Sequence, residues 1–109
     1  MQRLKPELLR KAIENALEEK DGAKFYYQPR LFEKLERHGV TMQDLLHICR
    51  TWEVLHRVQR DGASWRYKIG GWNCDHKWMA VVLAVNDHAN IVAITGFRFS
   101  RGETSDGLS

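Results

Sequence analysis

The chain has 109 residues, 43% apolar and 28% charged, with a net charge of +3. That length holds one domain with one modest core, and the apolar share excludes a chain that is disordered throughout. The positive excess is too small to name a partner alone, and two cysteines, Cys49 and Cys74, are too few for a disulfide framework.

Pro6 sits where a first helical turn tolerates it. Leu9, Ala12, Ile13, Ala16 and Leu17 then recur at helical spacing, so a first helix is predicted from about Lys5 to Lys20, stopping at Asp21-Gly22. "KFYYQ" reads as a short extended piece. Pro29 can open a second helix with Leu31, Phe32 and Leu35 on its apolar face, and His38-Gly39 ends it. Thr41 is the expected N-cap of a third helix, accepting from the Asp44 N–H. That helix runs to about Arg50 and buries Met42, Leu45, Leu46 and Cys49.

After Thr51 the apolar period becomes two. Trp52, Val54, His56 and Val58 are expected on one strand face, opposite Glu53, Leu55 and Arg57. "RDGAS" is a hairpin signal. Trp65, Tyr67 and Ile69 share a face of the next strand, with Arg66 and Lys68 opposite. "GGWNCDH" breaks the alternation. "KWMAVVLAV" is apolar on both faces, as a central strand is. "NDHAN" reads as a second tight turn and "IVAITGF" as a last strand ending at Arg98. Helices first and strands after predict an α+β domain, with N-terminal helices packed on a four-stranded, mostly antiparallel sheet. Residues 1–99 form the expected domain, and 100–109 a disordered tail. The longest apolar run, Trp78 to Val85, is too short to span a bilayer. The charged N-terminus lacks the apolar stretch of a signal peptide, so the expected location is cytoplasmic, without membrane.

"YQPRLFEKLERHGVTMQDLLHIC", "RYKIGG" and "WMAVVLAV…IVAITGFR" together resemble the small domains grouped with the RelE-like and BrnT toxins, within the barnase, colicin and RelE nuclease fold. The resemblance covers roughly residues 23–99. It implies a RelE-like fold, endoribonuclease activity on RNA, a cognate antitoxin or other protein partner, and no cofactor. Arg66 in "RYKIGG" and Arg98 in "GFR" match the pattern. Arg30 stands where a His is common, Lys34 where an Arg is common, and Met79 where a His is frequent. The chain thus keeps the cations of the pattern and loses proton carriers, so its catalytic positions are degenerate.

Cleavage by 2′-OH attack needs a proton acceptor, a proton donor and cations around the phosphorane. The catalytic candidates are Arg66 and Arg98 for charge and His56 and His76 for protons, with His88 as a further imidazole. Arg30, Lys34, Lys68 and Lys77 are the binding candidates. Trp65, Tyr67, Trp72 and Trp78 could stack bases, although at alternating spacing Trp65 and Tyr67 are more often core residues. His56 on an apolar face also fits a half-buried, hydrogen-bonded histidine. His47-x-Cys49 and Cys74-x-His76 suggest zinc, but one intervening residue is too few for a ligand pair, so no metal is expected. Three readings stay open. One is a toxin-like endoribonuclease or RNA-binding relative; the second is a non-enzymatic protein-interaction module, immunity-like or antitoxin-associated; the third is a soluble α+β domain with an unrelated small-molecule role.

Overall fold

The computed structural model describes residues 3–86 and 90–98. Helix α1 spans Pro6–Leu17 and buries Leu9, Ile13 and Ala16, which recur at three- and four-residue intervals. A 3-10 turn over Lys20–Gly22 follows, then strand β1, Phe25–Tyr27. Helix α2, Leu31–Arg37, buries Leu31 and Leu35. Gly39 stands just past it with φ of +67°, the left-handed conformation that ends helices at low cost for glycine. Helix α3, Met42–Thr51, opens on a reciprocal cap. Thr41 Oγ1 accepts from Asp44 N at 3.0 Å, and Thr41 N donates to Asp44 Oδ2 at 3.2 Å.

Four strands follow: β2 Val54–Asp61, β3 Ser64–Trp72, β4 Trp78–Val85 and β5 Ile91–Arg98. Asp61 pairs with Ser64, leaving Gly62 and Ala63 as a two-residue hairpin loop. Gly62 has φ of +62°, which a right-twisted hairpin requires at its first loop position. The expected second turn falls on Asp87, His88 and Ala89, outside the described residues, as does the tail from residue 99 onward.

The α+β class holds, but the sheet has five strands rather than four, in the order β1-β5-β4-β3-β2. "KFYYQ" contributes the extra strand. Phe25, Tyr26 and Tyr27 pair in parallel with Ile91, Val92 and Ala93, while the other three interfaces are antiparallel. Three residues are too few for a period to show, so only the long-range partner reveals this strand. All three helices lie on one face of the sheet, where they meet Tyr67, Ile69, Met79, Val81, Leu83, Val85, Ile91 and Ala93. No described helix is long and apolar enough to cross a membrane.

The expected alternation along β2 fails at one point. A β-bulge between Leu55 and Arg57 sets His56 and Arg57 against Lys68. Leu55 and Val58 therefore both pack on the core, and His56 turns to the opposite face. Trp52 is no strand residue; it caps α3 and is buried.

Candidate functional site

None of the described helices packs on the second face of the sheet. Side chains reach it from alternate positions: Arg66, Lys68 and Trp72 on β3, Trp78, Ala80, Val82 and Ala84 on β4, and Val92 and Phe97 on β5. A second bulge, at Ile94 of β5, sets Ile94 and Thr95 against Val82. The two bulges lie in one row across the sheet: Arg57 pairs with Lys68, Lys68 with Val82, and Val82 with Thr95. Each bulge adds a side chain to this face, so His56, Arg57, Lys68, Ile94 and Thr95 crowd into a band about 14 Å wide at the usual strand spacing.

Lys68 is only 1% exposed, although it lies on the helix-free side. Its Nζ sits 4.8 Å from the centre of the Phe97 ring, within cation–π range. The imidazole of His38, at the end of α2, reaches the same ring at 5.9 Å. Phe97 thus joins a cation from β3 to an imidazole from the helix layer. Beyond residue 93 β5 has no β1 partner, which leaves its end open to α2. Thr95, 1% exposed, has an Oγ1 with no hydrogen-bond partner among the described residues. An unpaired buried hydroxyl costs roughly 1–3 kcal/mol.

His56 is held by Trp78, whose Nε1 donates to His56 Nε2 at 3.1 Å, and the rings meet edge to face at 5.8 Å. In this arrangement Nε2 is the acceptor. Trp72 packs edge-on against Trp78 at 4.9 Å. Gly70 makes room for the arrangement, because a Cβ there would collide with His56 Nε2.

The sequence candidates do not form one cluster. Arg66 lies on the helix-free face and pairs with Asp61 Oδ2 at 3.0 Å. Arg98 pairs with Met79 and leans the other way, its Nη2 only 2.8 Å from where a Gly39 Cβ would stand. Arg66 is aligned with Ala84 and Arg98 with Met79, so about 17 Å of β4 separates them, on opposite faces. His76 and Lys77 are exposed in the β3–β4 turn, with His76 at a left-handed φ of 58°. Asn73 Oδ1 holds that turn by accepting from Asp75 N and Lys77 N, each at 2.9 Å. Arg30 is exposed ahead of α2, and Lys34 Nζ donates to Gln28 Oε1 at 3.1 Å. Lys68 and His56 therefore come together, and the other candidates lie outside their row.

His38 and Arg57 were absent from the sequence-derived set. His38 reads as a helix stop, and Arg57 reads as a residue opposite His56. Phe97, which His38 meets, lies 59 residues away, and Lys68, which pairs with Arg57, lies 11 away, so local spacing carries no signal for either.

Cys49 is buried against the core, and burial pushes its thiol up to about 12. Cys74 is exposed and lines a cleft with His47, Arg50 and Asp75 between α3 and the β3–β4 turn. His47 and Cys74 thus share that cleft, while Cys49 of the first pair lies in the core, so the four residues considered for zinc do not converge. No family model matches the chain, and no curated protein matches it either.

Proposed function

We propose that the chain is an RNA-binding relative of the toxin-like endoribonucleases, and that it receives single-stranded RNA across the helix-free sheet face. The observation that carries this reading is the doubly bulged row. It concentrates Arg57, Lys68 and His56 on one face, with Arg66 beside them and Phe97, Trp72 and Trp78 around them. Cations that follow a phosphate chain, interleaved with rings on which bases stack, are what single-strand recognition needs. Arg57, Arg66, Trp72 and Phe97 are the partly exposed members of this set, while Lys68 and Trp78 are buried, so the first four would meet the RNA.

Binding is better supported than cleavage. Arg66 and Arg98 lie on opposite faces, and His56 Nε2 already accepts from Trp78. Among the described histidines, only His38 and His56 touch residues of this face.

The test is fluorescence anisotropy with a labelled twelve-nucleotide RNA over a salt series, with the same tubes run on a gel for cleavage. Affinity should fall with salt by roughly 0.7 in log–log slope per phosphate contact. Arg57→Ala should reduce that slope. Phe97→Ala should weaken binding by on the order of tenfold, since one stacked base contributes about 1–3 kcal/mol. Salt-independent binding, or equal affinity in both variants, would refute the reading. RNA loss that disappears in His38→Ala would restore cleavage to the proposal.

A further inference from the structure

The two edges of the sheet are built differently. β2, the outer strand on one side, carries the features that discourage pairing with another chain: a bulge at His56 and charged Arg57, Arg60 and Asp61. β1, on the other side, is Phe-Tyr-Tyr, with no bulge and no charge. In its parallel ladder Ile91 N donates to Lys24 O at 3.0 Å and Gln28 N to Ala93 O at 3.0 Å. This register turns the backbone of Tyr26 towards β5, so the N–H and C=O groups of Phe25 and Tyr27 face outward.

Apolar side chains flank that backbone on both sides. Phe25 and Tyr27 share the helix side, with ring centres 5.6 Å apart, and Tyr27 continues to Phe32 of α2 at 6.3 Å. Tyr26 stands on the opposite side. Phe32 is 60% exposed, Tyr26 46% and Tyr27 44%, the largest group of exposed apolar side chains among the described residues. Residues 24–37 hold four basic residues, Lys24, Arg30, Lys34 and Arg37, against Glu33 and Glu36, a balance of +2.

We propose that the outer edge of β1 receives an extended, acidic segment of a partner protein as a sixth strand. Main-chain groups of Phe25 and Tyr27 would hold its backbone, the rings would take its apolar side chains, and the flanking cations would select its carboxylates. A second copy of this chain fits less well, because it would bring two +2 flanks together. RNA also fits less well. The rings lean on one another at 65° and 50° rather than opening a parallel slot, and the outward backbone groups match another backbone. The inference is independent of the RNA reading.

The experiment is a selection of displayed random dodecapeptides on the full chain, followed by affinity measurement of the enriched peptides. Enriched sequences should alternate apolar residues with Asp or Glu. Tyr27→Pro removes an outward N–H while Tyr26 and Gln28 keep the β5 ladder, and it should weaken binding at least tenfold. Phe32→Glu, at an exposed position, should weaken binding without touching the backbone, and Arg60→Ala, on the opposite edge strand, should leave it unchanged. Enrichment of basic sequences, absence of any shared pattern, or indifference to both Tyr27→Pro and Phe32→Glu would overturn the proposal. So would a concentration-dependent dimer abolished by Tyr27→Pro, which would assign the edge to a second copy. Displacement of the peptide by the labelled RNA would assign it to nucleic acid.

Discussion

The two faces of β3 alternate residue by residue, yet they do opposite work. Tyr67 and Ile69 enter a core shared with all three helices, and the Tyr67 hydroxyl even accepts from Leu4 N at 2.8 Å. Arg66 and Lys68, between and beside them, face a side with no described helix. The first face is stabilised by apolar burial, which is non-directional and tolerates any well-packed hydrophobe. The second places cations and rings by strand register and two bulges. If the helix-free face binds RNA as proposed, stability and binding rest on alternate residues of one strand, and substitutions should divide accordingly.

The largest effect belongs to the covered face. Leu83 is fully buried, so Leu83→Ala should cost about 2–5 kcal/mol in denaturant unfolding. Its RNA affinity, measured well below the unfolding midpoint, should stay unchanged. Equal losses in stability and affinity would break the separation.

A pH effect comes next. The thiol of Cys49 has its pKa raised in the folded protein from 9.0 to about 12 by burial. The folded state therefore holds this proton more tightly than the unfolded one. The contribution is complete below pH 9 and is lost as pH rises from there towards 12. Cys49→Ala should flatten this alkaline decline relative to the parent. A native-state labelling assay at pH 8 should modify Cys74 and spare Cys49.

Gly70→Ala sharpens the comparison from the other side. The added methyl would displace His56 and disturb its bond with Trp78, at roughly 1–3 kcal/mol. Because His56 belongs to the proposed binding row, affinity should fall together with stability, unlike in Leu83→Ala. Thr41→Ala, which removes the α3 cap far from that row, should cost about 1 kcal/mol and leave affinity intact. The smallest stability change is expected at Arg66→Ala. Its partner Asp61 is exposed, and such pairs contribute about 0–1 kcal/mol. A change in affinity there, with stability constant, would place Arg66 in the RNA path.

Much of this arrangement was legible beforehand. The helix-ending Gly39, the Thr41 cap and the doubly apolar β4 each rest on a local rule and appear where the rule puts them, and the hairpin falls within "RDGAS", with its loop at Gly62-Ala63. Tyr67 and Ile69 could be assigned to the core for the same reason. On β2 a single bulged residue reversed the faces expected for Leu55 and His56, and no local pattern announces a bulge. β1 was too short to show a period. Arg66 and Arg98 looked alike in sequence, but the bulge in β5 and the reach of Arg98 to Gly39 send them to opposite faces.

Local rules sufficed for the three helices, the Thr41 cap, the Gly39 stop, four of the strands and the basic, aromatic character of the second half. Those follow from hydrophobic period and from turn chemistry, which act over a few residues. Only the tertiary structure decided that Phe25–Tyr27 joins the sheet as a parallel edge, that His38 meets Phe97, and that Arg57, Lys68 and Thr95 stand in one row. Each of these depends on strand register between segments distant in the chain. Register is set by how a whole apolar face settles against the helices, and not by any single stretch of residues.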